Sequence, residues 1–166
     1  MMMRILAAAA VLILAACNGD SGVMREIERA EQEEASTAVT EDPITMPSGL
    51  EIQFQRRGPD QDLARPHAEA TVLVHYEGSF VESGEVFDSS FQRGEPAEFP
   101  LPAVVAGFSE AIQQMRPGDE LIATFPGSLG YGAEGRPPVI PPNAALRFRI
   151  RLLAFQAADG SIVGTP

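Results

Sequence analysis

The strongest constraint on the fold is an alternation of apolar and arginine side chains near the end of the chain. Leucine, phenylalanine, isoleucine and leucine at positions 146, 148, 150 and 152 alternate with Arg147, Arg149 and Arg151. Because successive side chains of a β-strand point to opposite faces, this pattern predicts a strand over 145–155 with one face in the core. The arginine face could bind an anion, but a solvated sheet face screened by nearby acids is the more common role.

The same two-residue period recurs at three other places in the chain. Residues 50–55, 70–80 and 119–125 each alternate apolar side chains with others, and each is predicted to form a strand. The residues in phase on the predicted core face are Leu50, Ile52, Phe54, Val72, Val74, Tyr76, Leu121, Ala123 and Phe125. The sequence therefore predicts a sheet with one buried face.

One segment between these strands has the period of a helix instead. Phe108, Ala111, Ile112 and Met115 recur at the spacing of one amphipathic helical face, and Pro117 ends the segment. A helix of two to three turns is marginal on its own in water, so it must pack on the sheet. We therefore predict an α+β fold, in which a curved antiparallel β-sheet wraps around one short α-helix.

The first residues indicate export. Arg4 precedes an uninterrupted apolar run over 5–16, which is shorter than the roughly 20 residues that a membrane-spanning helix needs and is typical of a signal peptide. The run ends in LAAC at 14–17, which resembles the bacterial lipobox, so we expect lipid on Cys17, the only cysteine of the chain. A cysteine beside an ordinary cleavage site is the alternative. Asn18 in place of aspartate favours the outer membrane, on its periplasmic side.

Residues 17–47 form an acidic segment between the signal and the predicted sheet. Acidic side chains greatly outnumber Arg25 and Arg29 there, and a short helix over 23–35 would have only a thin apolar stripe. Pro43 and Pro47 stiffen the approach to the first strand. We interpret 17–47 as a solvated, flexible tether, and an acidic docking or dimerisation segment is the alternative.

Charge and residue types exclude several classes of function. A formal net charge of −11 argues against nucleic-acid binding, which needs a concentrated basic face. His67 and His75 are interpreted as structural, and with Cys17 at the signal junction no transition-metal site is expected. Neither a nucleophile elbow nor a nucleotide-binding glycine pattern is present. The sequence therefore predicts no metal, no cofactor and no nucleophilic catalysis.

Several motifs together carry a resemblance to a known family. They are VHYEG at 74–78, VFDSS at 86–90, the segment 107–118, GYGA at 130–133 and VIPPNA at 139–144. In order and spacing the chain resembles FKBP-type peptidyl-prolyl cis-trans isomerases, in a bacterial lipoprotein form. The family fold is a five- or six-stranded antiparallel sheet around one short helix, in agreement with the periodicity. The resemblance implies an isomerase domain at 48–156, preceded by a signal peptide at 1–16 and the tether at 17–47, and followed by a tail at 157–166.

The resemblance also implies the residues of the site. Catalytic roles would fall to Tyr76, Phe87, Asp88 and Tyr131, and the substrate-binding surface would comprise Phe99, Val104, Val105, Phe108, Ile140 and Phe148. The Val105 N–H and the Tyr131 hydroxyl would donate to substrate carbonyls. Asp88 would polarise or orient the reacting segment, and Arg93 would pair with it. For each aromatic alone, core packing is the commoner role, so the assignment depends on their joint order.

Four positions depart from the family pattern. Phe108 stands where tryptophan is frequent, Ala97 where an aromatic is frequent, and Arg136 and Pro138 replace small or histidine-containing residues of the family's flap. Phe108 still forms an apolar floor, so we expect activity to survive. Macrolide ligands such as rapamycin are also implied by the resemblance, and these departures predict a lower affinity for them.

The expected reaction is cis-trans isomerisation of X-Pro bonds in exported proteins, with proline-containing exported polypeptides as partners. A twisted amide is less dipolar than a planar one, so a dry apolar pocket favours the transition state without a covalent intermediate. A noncatalytic module or holdase chaperone that binds proline-containing segments in the same groove is the alternative. Related periplasmic isomerases dimerise through a long N-terminal helical domain, whereas a short segment separates Cys17 from Glu51 here. We therefore expect a monomer that meets the membrane through its lipid.

Overall fold

The computed structural model of the chain describes residues 41–164, which are organised around one antiparallel sheet. The predicted signal peptide at 1–16, the lipidation at Cys17 and the short helix over 23–35 lie outside the described residues, as does most of the tether. No helix within 41–164 combines the length and the apolar character needed to cross a membrane.

Strands and short helices alternate along the described chain. In order they are β1 (Ile44–Thr45), β2 (Glu51–Arg56), β3 (Thr71–Phe80), β4 (Val86–Ser89), α1 (Ser90–Arg93), β5 (Ala97–Pro100), a 3-10 turn (Leu101–Ala103), α2 (Ala106–Ile112), β6 (Glu120–Phe125), a second 3-10 turn (Gly127–Leu129), β7 (Leu146–Gln156) and β8 (Ile162–Gly164). The four strands predicted from alternation therefore appear as β2, β3, β6 and β7, with starts shifted by one residue.

Two long strands, β3 and β7, form the centre of the sheet. The order is β1-β2-β6-β7-β3-β4, with β5 also pairing β3 and β8 also pairing β7, and every pair is antiparallel. The β3–β7 register runs from Val72 opposite Phe155 to Phe80 opposite Leu146. Because β3 is longer than its edge partners, β5 pairs with its first half and β4 with its last half.

The buried face of this sheet is the face that alternation predicted. Leu146, Ile150 and Leu152 of β7 are fully buried, whereas Arg147 and Arg149 are exposed. The Arg149 Nε donates to Glu120 Oε1 at 2.6 Å, so an acid on the neighbouring strand screens the arginine face. The amphipathic segment forms α2 against β6 and β7, although Met115 lies beyond the end of the helix in a buried turn. The predicted α+β fold, a sheet around one short helix, is confirmed.

Four short strands and a single helical turn have no counterpart in the prediction. Strands β1, β4, β5 and β8 are two to four residues long, and α1 has four residues. Such segments are too short to show a period in the sequence, and they form because β2, β3 and β7 offer unpaired edges. Strand β8 lies within the segment predicted as a tail and β1 within the predicted tether, so the sheet extends beyond 48–156 at both ends.

A buried aspartate ties the loop after β2 to the turn before β6. The Asp119 side chain is 0% exposed. Its Oδ1 accepts hydrogen bonds from the Gly58 N–H at 2.6 Å and from Gln61 Nε2 at 3.0 Å, and its Oδ2 accepts one from the Arg116 N–H at 2.9 Å. A buried carboxylate is stable only when it is hydrogen-bonded in this way. Asp119 therefore organises a part of the fold that does not line the pocket described next.

Candidate active site

A cavity of about 570 Å³ opens between the buried face of the sheet, α2 and the segment 127–143, which we call the flap. The side chains and backbone groups that line it are Tyr76, Phe87, Asp88, Phe99, Ala103, Val104, Val105, Phe108, Tyr131, Arg136, Pro137, Val139, Ile140 and Phe148. All ten residues predicted as catalytic or substrate-binding are among them. The structure therefore brings together residues from β3, β4, β5, α2, β7 and the flap, which are far apart in the sequence.

The floor of the pocket consists of two aromatic rings. Phe108 projects from α2 and Phe148 from β7, and their ring centroids are 5.2 Å apart in an edge-to-face arrangement. Phe125 stacks against Phe148 at 5.7 Å on the core side and supports it. Phe108 and Phe148 are only 4% and 6% exposed. The floor is thus a nearly dry apolar surface fixed by core packing, with a phenylalanine where the family often has tryptophan.

The walls of the pocket are further aromatic rings. Tyr76 meets Phe99 at 5.5 Å and Phe108 at 6.1 Å, and Phe87 meets Phe148 at 5.7 Å, all edge to face. Edge-to-face contacts at these distances are favourable because the positive edge of one ring meets the negative face of the other. The rings therefore pack against one another as a continuous apolar enclosure.

Two glycines, which we did not predict as site residues, make this ring packing possible. A Cβ on Gly78 of β3 would lie 2.6 Å from the Phe87 ring and 2.8 Å from the Phe148 ring. A Cβ on Gly107 of α2 would lie 2.5 Å from the Phe125 ring. Both glycines occur in the motifs noted above, but a sequence does not show which ring approaches a given backbone atom. Their role becomes visible only when the strands and the helix are packed.

A hydrogen-bonded triad of Tyr76, Asp88 and Arg93 lies at one side of the pocket. The Tyr76 hydroxyl donates to Asp88 Oδ2 at 2.5 Å, and Arg93 donates to Asp88 Oδ1 at 2.5 Å and to the Tyr76 hydroxyl at 3.1 Å. Arg93 does not itself line the cavity. The predicted pairing of Arg93 with Asp88 is present in this geometry.

Burial and this bonding determine the ionisation of the triad. Burial raises the pKa of Asp88, but the hydrogen bonds from Tyr76 and Arg93 together outweigh it, so the pKa lies below its usual value. Burial raises the pKa of the Tyr76 hydroxyl, and donation to the Asp88 carboxylate raises that pKa further. At neutral pH Asp88 is therefore a carboxylate and Tyr76 a neutral hydroxyl.

The single turn α1 places Arg93 beside Asp88. Ser89 caps this turn by accepting from the Gln92 N–H at 3.2 Å, and Gly94 ends it in the left-handed conformation with φ of 75°. The first residue of α1, Ser90, is wholly buried, and its hydroxyl accepts from the Tyr76 N–H at 2.7 Å and donates to the Tyr76 carbonyl at 3.2 Å. The turn is thus joined to β3 at the residue that carries the triad hydroxyl.

Two hydrogen-bond donors line the pocket without an acceptor among the described residues. Val105 is the residue before α2, and within residues 41–164 its backbone N–H is bonded to no protein acceptor. The Tyr131 hydroxyl on the flap likewise has no hydrogen-bond partner in the described part of the chain. Unpaired donors beside an apolar pocket are suited to donate hydrogen bonds to a ligand carbonyl.

Four lining residues of the pocket were not assigned to the site from the sequence. Arg136, Pro137 and Val139 belong to the flap, and Ala103 precedes the lining residue Val104. Val139 is 53% exposed at the rim, and Ile140 is buried. Of the four departures from the family pattern, Arg136 lines the pocket, whereas Ala97 and Pro138 do not, and Phe108 forms the floor.

The histidines lie outside the pocket. His75 Nδ1 is 3.2 Å from the Ser90 Oγ, and its ring stacks on Phe91 at 5.0 Å, on the opposite side of β3 from Tyr76. Across residues 41–164, no group of three histidine, cysteine or acidic side chains is placed to hold a metal ion. The lining itself offers apolar burial, hydrogen-bond donors, the paired carboxylate of Asp88 and the guanidinium of Arg136.

Comparisons with known proteins agree with this geometry. A family model described as FKBP-type peptidyl-prolyl cis-trans isomerase matches residues 63–153. The peptidyl-prolyl cis-trans isomerase Mip of Coxiella burnetii is 41% identical over 112 residues, covering 68% of this chain and 47% of that protein. The FKBP-type peptidyl-prolyl cis-trans isomerase FkpA of Aeromonas hydrophila is 38% identical over 149 residues, covering 89% of this chain and 54% of that protein.

A solved structure shows a similar fold. The crystal structure of FkpA from Escherichia coli superposes with a TM-score of 0.63 and 30% sequence identity, covering 87% of this chain and 62% of that one. The chain spans about half the length of the two curated relatives, at 47% and 54%. The segment matched by the family model, 63–153, contains every lining residue of the pocket.

Proposed function

Because the chain belongs to the FKBP-type peptidyl-prolyl cis-trans isomerase family, we propose that it accelerates rotation about X-Pro bonds in exported polypeptides. The bond crosses a barrier of about 18–20 kcal/mol because rotation breaks the resonance of the planar amide. An acceleration of about a thousandfold requires the site to lower that barrier by only about 4 kcal/mol. Binding that favours the twisted amide is sufficient for such an effect, and no covalent intermediate is needed.

The observation that supports this function is the aromatic pocket with its two unpaired donors. The rings that enclose it belong to Tyr76, Phe87, Phe99, Phe108 and Phe148. A prolyl ring on the floor formed by Phe108 and Phe148 would lose its contact with water, and so would the adjacent amide. Since the twisted amide is less dipolar than the planar one, this loss of water costs the transition state less than the ground state.

The polar groups would orient the substrate in this dry site. We assign the Val105 N–H and the Tyr131 hydroxyl, both of which line the pocket, as donors to the carbonyl oxygens of the substrate. The Asp88 carboxylate, held by Tyr76 and Arg93, would act on the rotating segment through its field, because it is ionised and close to an apolar wall. Donors already in place cost no reorganisation when the amide twists.

An exchange assay on short peptides tests the function directly. Proton NMR exchange spectroscopy on Ala-Leu-Pro-Phe peptides measures the cis-trans rate with and without the protein, and a titration of the same peptides measures binding. We expect exchange to accelerate in proportion to protein concentration. Binding without acceleration would instead identify a noncatalytic module or holdase that uses the same groove. A protein that neither binds nor accelerates exchange would refute both.

The sequence supports proposals about location and assembly as well. We place the isomerase domain at 48–156, with β1 and β8 extending its sheet on either side, and join it by the acidic tether to a lipid on Cys17, with the signal peptide at 1–16 removed. The lipid would hold the protein on the outer membrane, facing the periplasm, where proline-containing exported polypeptides fold. A monomer is the proposed assembly.

Macrolide ligands such as rapamycin would occupy the same pocket. The phenylalanine floor at Phe108 offers less apolar area than the tryptophan frequent in the family, so we propose weaker binding than is usual there. Competition between rapamycin and a proline peptide in the exchange assay would measure it, and an absence of competition would contradict the assignment of a shared site.

A further inference from the structure

Within residues 41–164, the pocket carries one charge that no neighbouring group compensates. Its ionisable lining residues other than the tyrosines are Asp88 and Arg136. Asp88 is paired with Arg93 at 2.5 Å. For Arg136, by contrast, no carboxylate in the described residues lies within 4.0 Å of the guanidinium. The uncompensated charge at the pocket is therefore positive, although the chain as a whole has a formal charge of −11.

The backbone of the flap holds Arg136 at the rim. Its N–H donates to the Ile140 carbonyl at 2.8 Å, and the Ile140 N–H donates back to the Arg136 carbonyl at 2.9 Å. Gly135 before it has φ of +63°, and a Cβ there would lie 2.4 Å from the Ile140 oxygen, so glycine is required for this turn. Ile140 is 3% exposed and anchors the turn in the apolar lining. Arg136 is thus a positioned, exposed cation.

Arg136 lies close to one of the two groups assigned to bind substrate carbonyls. Its Cζ is 5.9 Å from the centre of the Tyr131 ring. A peptide residue whose carbonyl accepts from the Tyr131 hydroxyl would therefore bring its own side chain within reach of the guanidinium. Both the guanidinium and that side chain would remain partly solvated, so the attraction is modest and is screened by salt.

We infer that Arg136 makes this isomerase prefer X-Pro segments with an acidic side chain beside the proline, an inference that rests on the proposed function. The preference is local, because the net negative charge of the chain opposes acidic peptides at longer range. Arg136 would act as a specificity-determining residue that discriminates between substrates. The aromatic pocket would supply the binding of the proline that all substrates share.

Matched peptides and matched arginine variants test the inference. Two pairs, Ala-Glu-Pro-Phe with Ala-Gln-Pro-Phe and Ala-Pro-Glu-Phe with Ala-Pro-Gln-Phe, differ only in charge on either side of the proline. The exchange rate of each peptide is measured with wild type, with Arg136→Gln and with Arg147→Gln. Arg147 is exposed on the opposite face of the sheet, so its variant makes the same change in net charge away from the pocket.

The measured quantity is the catalysed cis-trans exchange rate of the Glu peptide divided by that of the matched Gln peptide. In at least one pair we expect Arg136→Gln to lower this ratio roughly two- to fivefold, with Arg147→Gln leaving it as in wild type. The difference should vanish at about 0.5 M salt, where charges are screened within a few ångströms. An equal ratio in wild type and Arg136→Gln, with all peptides turned over, would overturn the inference and leave the proposed function intact.

If the protein accelerates exchange in none of the peptides, the proposed function is refuted instead. The ratio of Glu to Gln affinities, from NMR titration of the same peptides, would then decide the role of Arg136 in binding. A Glu preference that Arg136→Gln removes would support the charge selection, and equal affinities would overturn it.

Discussion

At the scale of single residues, the pocket separates groups that are satisfied within the protein from groups left for a ligand. Tyr76, Asp88 and Arg93 satisfy one another, with three hydrogen bonds of 2.5 to 3.1 Å. The Tyr131 hydroxyl has no such partner within residues 41–164. The first set can shape an electrostatic field, whereas Tyr131 can bond a substrate. Substitutions at Tyr131 and Asp88 should therefore affect activity in different ways.

Removing the Tyr131 hydroxyl should weaken catalysis and leave stability unchanged. A hydrogen bond to a substrate carbonyl contributes about 0.5–1.5 kcal/mol, so Tyr131→Phe should lower the catalysed exchange rate roughly two- to tenfold. Because the hydroxyl has no partner in the described fold, the free energy of unfolding in urea should stay within about 0.5 kcal/mol of wild type. Wild-type activity in a proline-limited refolding assay would remove Tyr131 from the mechanism.

Because Asp88 stays ionised down to low pH, isomerase activity should be lost only in acid. Its pKa is held below the usual carboxylate value of about 3.9, so isomerisation should be constant from pH 8 to pH 5 and decline below about pH 4 as the carboxylate protonates. The pH profile of peptide exchange, with the fold followed by circular dichroism, measures this decline.

The same carboxylate gives a mutational test. Asp88→Ala should lower activity at neutral pH and abolish the acid limb of the profile, with the domain still folded. The folded-state pKa is depressed, so any stability that Asp88 contributes is present above its unfolded pKa and is lost as pH falls through the folded one. An unchanged profile in Asp88→Ala would assign the limb to another group.

At the scale of elements, the pocket depends on two glycines that leave room for aromatic rings from neighbouring elements. Gly78 lets the Phe87 and Phe148 rings lie against β3, and Gly107 lets the Phe125 ring lie against α2. The single turn α1 places Arg93 beside Asp88, and the flap places Tyr131 in the pocket lining. The arrangement of rings is therefore a consequence of how closely the backbones pack.

Adding a methyl group at Gly78 should impair the pocket. In Gly78→Ala the Cβ would lie 2.6 Å from the Phe87 ring and 2.8 Å from the Phe148 ring, so at least one ring must move. We expect a loss of about 1–3 kcal/mol in unfolding free energy together with a clear loss of peptide exchange activity.

Gly84→Ala is the matched control for this change. Gly84 has φ of +72° with no atom within 4 Å of a built Cβ, so its alanine variant should lose stability through backbone strain alone. Its activity should match wild type under conditions where it is folded. Equal activity losses in the two variants would show that the Gly78 effect is general destabilisation.

Asp119 should stabilise the packing of the loop after β2 against the turn before β6 and have no role in catalysis. Asp119→Ala would leave the Gly58 and Arg116 N–H groups without their buried acceptor, so it should lower the free energy of unfolding by about 3 kcal/mol. Asp62→Ala removes an exposed aspartate from the same loop and should change stability by less than about 0.5 kcal/mol. Urea unfolding compares the two, and equal midpoints would contradict the role of Asp119.

At the scale of the whole molecule, the proposed anchor and the catalytic domain should be separable. Residues 41–164 form one sheet whose pocket draws every lining residue from between Tyr76 and Phe148. The proposed lipid at Cys17 lies well before this domain in sequence. Loss of the lipid should therefore change where the protein is found and leave the activity of each molecule unchanged.

Replacing the cysteine tests this separation. Cys17→Ser should abolish incorporation of radiolabelled palmitate and release the protein from the membrane fraction, because a thiol is required for the thioether to the lipid. Exchange activity per mole of protein should equal that of wild type in detergent. Palmitate incorporation that persists in Cys17→Ser would contradict lipidation at this residue.

The sequence by itself determined the main strands, the helix and the family. Alternation in β7 and the helical spacing of Phe108, Ala111 and Ile112 reflect burial on one face, a physical pattern that each segment carries on its own. The residues of the pocket were named through the family motifs. Their periodicity is that of ordinary core residues, so without the motifs they would not have been separated from the core.

Only the tertiary structure decided which groups meet and which remain unpaired. The short strands β1, β4, β5 and β8 form because longer strands leave edges to pair with, and Gly78 matters because of rings contributed by β4 and β7. Arg136 likewise became a candidate for specificity when the flap placed it at the rim without a carboxylate beside it in residues 41–164. Periodicity records the preference of one segment for water or core, whereas contacts, free donors and uncompensated charges depend on segments distant in sequence.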